Sequence, residues 1–444
     1  MFILNQMKKH GDLDALIWCD KKYSYANLYN RIGVVEQLID NHQIKEGSVV
    51  SLEADFSPNA LIMLLSLIQK KAIIVPLSSS IHDKSEEFRK ISQVEKRIII
   101  NGEDHISVID TNVQPKHELI DKLRDNNIPG LILFSSGSSG KSKAVVHDID
   151  KLMKKYEDSK KQKITITFLL FDHIGGFDTI FYTLAGGGCI VTLSDRSPKT
   201  VCKIVEKYQV QVLPVSPTFL NLLLVSGEYA HYDLSSLEYI TYGAELMNQF
   251  VLQKIYELLP NVRMRQKYGL SELGVLNTKS ESSDSLWMKL DSDKFKIRIR
   301  DNMLEVKTES TMLGYLNEKS PFSKDGWFKT GDVVEQKGEY VRVLGRESEI
   351  INVGGRKVYP AEIENILKCL DNIKDIIIKG EENMLVGQVV TAKVVLIEKE
   401  DLSVLKRRIR FFLKGKVENY KIPQKIDIVD ISDMYSARLK KIRK

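Results

Sequence analysis

A loop of small and hydroxylic residues carries the first chemical signal in this chain. Ser135-Ser136-Gly137-Ser138-Ser139-Gly140-Lys141-Ser142-Lys143 follows the apolar run Leu131 to Phe134. Glycines let backbone N–H groups approach a ligand closely, hydroxyls add donors, and Lys143 adds positive charge, a combination suited to phosphate oxygens. Gly140-Lys141-Ser142, with the apolar ITITFLLFD ending at Asp172, invites comparison with a P-loop NTPase. The first glycine of that motif would fall at position 135, which is Ser135. Cys19, Cys189, Cys202 and Cys369 are scattered without a CxxC pair, the pattern of buried thiols in a reducing compartment and not of a zinc site or disulfide framework.

The elements that must hold the loop alternate between helix and strand. An apolar segment, Leu61 to Ile68, predicts a helix and is followed by the buried strand AIIV, ending at Pro76. Further strands are expected at Leu131 to Phe134, Ile164 to Phe171, Cys189 to Leu193 and Val210 to Pro214, with an amphipathic segment at Lys203 to Tyr208. Such interleaving predicts an α/β protein on largely parallel sheets. TKSESSDS (278–285) is expected to be an exposed loop, and KFKIRIR and MLEVK on either side of Asp301-Asn302 predict a hairpin. From Ile350 a compact unit with its own helix, AEIENILKCL, begins, so domains are expected at 1–346 and 347–444.

The chain has 444 residues, room for two or three domains at about 150 residues each. Its 43% hydrophobic and 28% charged residues argue against both disorder and a membrane protein. The apolar stretch Ala60 to Ile68 is far shorter than the roughly 20 residues that span a bilayer. MFILNQMKKHGD lacks a signal-peptide pattern, so a cytoplasmic location without a membrane span is expected. A formal charge of +6 is too small to imply a nucleic-acid partner. From Glu347 onward 20 Lys/Arg stand against 15 Asp/Glu, which places most of the excess in the C-terminal lobe. Lys406, Arg407, Arg408, Arg410, Lys414 and Lys416 concentrate it on one expected helix, with Phe411, Phe412 and Leu413 as candidate anchors.

Five motifs in order resemble the adenylate-forming ligase superfamily, which includes acyl- and aryl-CoA synthetases, adenylation domains of non-ribosomal peptide synthesis, and luciferases. FSSGSSGKSKAV (134–145) is similar to its phosphate loop, and FDHIGGFDTIFYTLAGGG (171–188) to its acid-pocket helix. QKYGLSELG (266–274), DGWFKTGD (325–332) and GRESEIINVGGRKVYPAEIE (345–364) resemble the next three. MYSARLKKIRK is similar to the tail motif. Departures are Ser142 and Ala144 in the phosphate loop, Lys71 where a glycine is usual, Ser348 at the hinge, and Leu439 for the tail glycine. The resemblance implies a large N-terminal domain of mixed β-sheets layered with helices and a small mobile C-terminal α+β domain. The closest likeness is to a short free-standing acyl-CoA or acyl-carrier-protein synthetase.

Members of this superfamily join a carboxylate to the α-phosphate of ATP, release pyrophosphate, and pass the acyl group to a thiol. Phosphate binding is thereby implied for Ser135, Ser136, Gly137, Ser138, Ser139, Gly140 and Lys143. The same resemblance assigns Ser271 to the α-phosphate, Glu272 to Mg²⁺, Asp332 to both ribose hydroxyls, and Arg346 to the ribose and hinge. It sets Gly243, Ala244 and Tyr268 around adenine, His173 as a pocket gate, and Lys440 as the catalytic lysine of adenylation. His173, Ile174, Phe177, Tyr242 and Leu273 are the candidate acid pocket, whose character predicts an acyl or aryl acid without an obligatory charged partner. CoA or a phosphopantetheinyl carrier protein is the expected acceptor. One rival is an amino-acid adenylation enzyme, whose amine-gripping aspartate could be Asp172, although alignment by His173 puts Ile174 in its place. Another is a catalytically silent nucleotide-binding relative, against which Glu272, Asp332, Arg346 and Lys440 stand retained.

Overall fold

The computed structural model describes residues 2–136, 142–157, 159, 161–290 and 294–434. Two seven-stranded sheets form the larger part. The first runs Arg263–Gln266, Tyr239–Tyr242, Val212–Val215, Ile164–Ile166, Cys189–Val191, Asp14–Trp18 and Lys21–Ser24, parallel up to its last pair. In the second, Gly130–Ser136, Ile73–Leu77, Val49–Glu53 and Lys96–Ile100 are parallel. Ser142–Asp148 returns antiparallel to Gly130–Ser136, so the phosphate-loop sequence spans a hairpin between adjacent strands. A six-stranded sheet follows, with every pair antiparallel and with Phe328–Lys337 and Tyr340–Arg346 at its centre. The fold is thus α/β, as expected, with an antiparallel sheet beside the parallel ones.

Local sequence explains the main helices. Ser57-Pro58, Ser197-Pro198 and Ser216-Pro217 each place a capping serine before a proline in the first helical turn. The serine oxygen accepts an otherwise orphaned N–H, and proline gives up a donor that the first turn cannot use. Pro58–Gln69 buries ten of its twelve residues, as a helix apolar on every side must. It lies in a core that it shares with the Ile174–Ala185 helix. Lys71, where the family usually has glycine, adopts φ +60°, the left-handed conformation that glycine reaches without strain.

Some expectations were too long or misplaced. Ile164 to Phe171 is a strand only over Ile164–Ile166, because the chain then leaves the sheet to begin the Ile174–Ala185 helix. Thr278–Ser280, expected in a loop, pairs with Met288–Leu290. The hairpin at Asp301-Asn302 forms with both turn residues at positive φ, the requirement of a tight two-residue connection. Cys19 and Cys369 are exposed, and only Cys189 and Cys202 are buried. Of the expected anchors Phe411 is 82% exposed, whereas Leu413 is buried with Leu405 and Ile409, four residues apart, and Phe412 packs against them.

Residues 351–428 supply a five-stranded sheet and a hydrophobic cluster drawn entirely from that stretch. Its contact with the earlier helices includes a buried polar group. Lys368 Nζ lies 3.0 Å from Asp375, with side chains only 6% and 0% exposed. Asn221, on the Pro217–Ser226 helix, accepts from Lys368 at 2.8 Å and donates to Asp375 at 3.4 Å. Among the described residues no helix is long and apolar enough to cross a membrane.

Gly176 fixes the start of the Ile174–Ala185 helix against the chain that precedes it. A Cβ there would stand 1.9 Å from the Leu170 carbonyl oxygen, a backbone atom with little freedom to yield. Gly176→Ala should therefore destabilise the protein by about 1–3 kcal/mol or more through overpacking, read as a lowered melting temperature. An unchanged melting temperature would show that this approach is not required.

Candidate functional site

Glu272 sits in the turn between Tyr268–Leu270 and Gly274–Leu276, and its backbone carbonyl accepts from Met312 N–H at 2.8 Å. Its Oε1 accepts from Tyr315 O–H at 2.9 Å and Ser135 O–H at 3.3 Å. The phosphate-loop strand and the Glu272 turn are thereby brought together. Lys143, on the far strand of the same hairpin, lies 5.3 Å from the centre of the Tyr315 ring. Asn317 closes the arrangement by donating to the Ser142 carbonyl at 2.8 Å and accepting from Ala144 N–H at 2.9 Å. Burial and the Glu272 carboxylate push the Tyr315 phenol far up, so Tyr315 is a fixed donor.

Asp332 stands opposite Arg346 in the central antiparallel pair of the six-stranded sheet. One carboxylate oxygen lies 3.3 Å from Arg346 Nε, and the other accepts from Tyr268 O–H at 2.6 Å. Burial raises the Asp332 carboxyl above its ordinary range, against the opposing pull of Arg346 and Tyr268. Burial acts against the Arg346 charge, but Asp332 and Glu272 outweigh it and raise its pKa. Both carboxylates thus act on one guanidinium. Tyr268 is buried in the cluster containing Leu273 and Tyr315, where it also positions Asp332.

His147 holds the third member of this group. Fully buried, it contacts the Ser271 carbonyl through Nε2, while Nδ1 has no hydrogen-bond partner among the described residues. Burial lowers its pKa to about 4, so the ring is neutral and Nε2–H donates. Gly243 and Ala244 follow Tyr239–Tyr242, with Ala244 in the left-handed region at φ +67°. Glycine is required at 243 because a Cβ would lie 2.6 Å from the Lys267 carbonyl.

The candidate acid-pocket residues belong to three packed clusters. Ile174 and Phe177 are buried in one cluster, Tyr242 in a second and Leu273 in a third, because they face different layers of the fold. His173 caps the Ile174–Ala185 helix, Nδ1 accepting from Gly175 N–H at 3.4 Å. Gly137, Ser138, Ser139, Gly140, Leu439 and Lys440 lie outside the described residues, and nothing is described of the Ser136 side chain. Sequence reasoning missed Tyr315, Asn317 and His147. Tyr315 and Asn317 could have been sought in the polar Gly-Tyr-Leu-Asn segment, and His147 in the otherwise apolar strand after the loop.

Glu272 offers a second oxygen that accepts no hydrogen bond among the described residues. No group of three or more His, Cys, Asp or Glu side chains is arranged for a metal among them. One carboxylate completed by phosphate oxygens is a coordination suited to Mg²⁺, which keeps much of its water shell. The donor set therefore fits a magnesium-bound nucleotide.

A parallel-sheet body with a phosphate hairpin, a carboxylate turn and a buried Asp–Arg pair defines an adenylate-forming ligase. Residues 3–289 match the family of AMP-binding enzymes, and the chain belongs to it. It is 23% identical to the 3-[(3aS,4S,7aS)-7a-methyl-1,5-dioxo-octahydro-1H-inden-4-yl]propanoyl:CoA ligase of Rhodococcus jostii, over 95% of this chain and 93% of that protein. With the indoleacetate–CoA ligase of Aromatoleum aromaticum it shares 28% identity over 71% and 66% of the two chains. Its fold matches the o-succinylbenzoate CoA synthetase of Bacillus subtilis with a TM-score of 0.79 at 19% identity, covering 100% and 96% of the chains. ATP-bound MatB of Rhodopseudomonas palustris matches with a TM-score of 0.76 at 19% identity, over 96% and 95%.

The low pKa of His147 has a consequence for stability. An unfolded histidine titrates near 6.5, so between that value and about 4 the unfolded chain binds a proton that the folded chain refuses. Stability is therefore lost as pH falls through this window, by about 2 kcal/mol at pH 5. His147→Gln, which keeps a donor for Ser271, should abolish that part of the loss when urea unfolding is compared at pH 7 and pH 5. An equal loss in variant and wild type would assign it elsewhere.

Proposed function

We propose that the protein is an ATP-dependent carboxylic acid–CoA ligase, forming an acyl-adenylate with release of pyrophosphate and then a thioester. Convergence of Glu272 and Asp332 on Arg346, beside the phosphate hairpin, carries the proposal. Asp332 can accept two ribose hydroxyls because one carboxylate offers two oxygens, and Arg346 balances its charge. Ser135 and Lys143, with the loop between them, would hold the leaving pyrophosphate, while His147 fixes the Ser271 backbone beside the α-phosphate. Gly243 and Ala244 would receive adenine. Magnesium, when bound at Glu272, supplies charge neutralisation for the phosphates. In this proposal residues 1–346 bind nucleotide and acid, and 347–444 form a mobile unit that brings Lys440 to the carboxylate.

CoA is favoured as acceptor by the names of the two relatives given above, both CoA ligases. Amino-acid activation is disfavoured on two counts: Ile174 is buried in the core, and Asp172 already accepts from Ser78 O–H at 2.7 Å. Retention of both carboxylates and their partners argues against a silent relative.

Pyrophosphate release with ATP and a panel of acids tests the proposal. Glu272→Ala and Asp332→Ala each remove contacts with an ionised acceptor, worth about 1.5–3 kcal/mol, and should lower kcat/KM by about 10- to 150-fold while the proteins stay folded. Wild-type rates at subsaturating ATP in either variant would refute the assignment.

The raised Asp332 carboxyl also sets a pH dependence. Protonation removes an acceptor, so nucleotide affinity should be present above the Asp332 pKa and lost as pH falls through it. The acid limb of kcat/KM for ATP should lie above an ordinary carboxylate value of about 4. Asp332→Asn should flatten that limb, and an unchanged limb in this variant would show that another group produces it.

A further inference from the structure

The Leu402–Leu413 helix has one side in the core of the C-terminal sheet and another in water. Leu405, Ile409 and Leu413 are buried, and Phe412 packs against their cluster. At 3.6 residues per turn, the side facing away from them carries Val404, Arg407 and Phe411, spaced three and four residues apart. Arg410 stands beside this row, and Lys414 follows at the helix end. All five are exposed, Phe411 by 82%.

A single apolar side chain in water is ordinary, but the charge around this one is not. Residues 402–417 contain six Lys or Arg and no Asp or Glu. Arg408 is held by Glu400 at 2.5 Å and by the Asp371 carbonyl at 2.7 Å, and Lys416 lies over the Phe412 ring. Lys406, Arg407, Arg410 and Lys414 make no ion pair among the described residues. Acids close by in the chain or on the adjoining Pro360–Leu367 helix have other tasks. Asp401 caps the basic helix through Ser403 and Val404 N–H, and Glu362 and Glu418 both pair with Lys421 at 2.8 Å.

We propose that this face docks the protein on an anionic membrane surface, with Phe411 in the headgroup region and Arg407, Arg410 and Lys414 against lipid phosphates. Charge complementarity fixes the sign of the partner, and convexity fixes its kind. Phe411 projects from the ridge of a helix, so a folded protein would need a matching pocket to bury it. A bilayer is apolar just below its headgroups and accepts a projecting ring anywhere on its surface. The long Lys and Arg stems can lie along that boundary while their charges stay at the phosphates. One ring and a few cations give a reversible hold and not an anchor. Under the ligase reading, such a hold places the enzyme where apolar acids partition.

Co-sedimentation of the full chain with vesicles tests this, using phosphatidylcholine alone and phosphatidylcholine mixed with phosphatidylglycerol. Wild type should bind the mixed vesicles, ignore the neutral ones, and dissociate as salt is raised. Phe411→Ser should weaken binding about tenfold, the scale of withdrawing one buried aromatic side chain. Arg407→Glu combined with Arg410→Glu should weaken it by at least about fivefold for each cation removed, equivalent to ~1 kcal/mol per residue. Melting temperatures, and pyrophosphate release without vesicles, should match wild type, since these side chains lie outside the core and the nucleotide site. Absence of binding to the mixed vesicles, equal binding by wild type and both variants, or binding indifferent to Phe411→Ser overturns the inference. Retention of wild type on an acidic carrier protein in place of the vesicles, or its displacement from them by CoA, assigns the face to the thiol acceptor and equally overturns it. The ligase reading stands or falls separately, on pyrophosphate release.

Discussion

Arg346 is the charge on which the site depends. Asp332 is drawn into the interior of the protein, and a carboxylate in such surroundings stays ionised only where opposite charge or strong donors compensate it, while the half-buried Glu272 acts on the same guanidinium. One guanidinium serves both, helped by the phenols of Tyr268 and Tyr315, which burial keeps protonated. The antiparallel register that places Arg346 opposite Asp332 is therefore an electrostatic requirement as much as a structural one. The six-stranded sheet supplies this pair, while the second seven-stranded sheet supplies the serine-rich hairpin beside it.

Around Arg346 and the hairpin each of these polar groups has a neighbour: Glu272 has Tyr315 and Ser135, Asp332 has Tyr268 and Arg346, and Asn317 ties the hairpin on both sides. A satisfied network is preorganised and needs little rearrangement when ligand arrives.

Much of this was legible in residue order. The serine- and glycine-rich loop, the Glu272 turn and DGWFKTGD are local motifs, and the hairpin at Asp301-Asn302 follows from two residues that tolerate positive φ. Partners contributed from distant segments were not legible. Tyr315 meets Glu272 from 43 positions away, and His147 meets Ser271 from 124, so no spacing rule connects them. How Ile174, Phe177, Tyr242 and Leu273 stand to one another was not legible either, because which layer each faces depends on how the helix and sheets stack.

The Lys368–Asp375 pair has a consequence for how the C-terminal sheet can part from the helices it touches. Both ions belong to that unit, and the Asn221 amide reaches across to both of them. Separation at Asn221 would leave the Lys368–Asp375 pair whole. It would trade one amide for water at each ion, an exchange that is nearly balanced because water both donates and accepts. A joint sealed by an amide can open and reseal repeatedly at small cost, whereas one sealed by opposite charges from the two sides would resist every cycle.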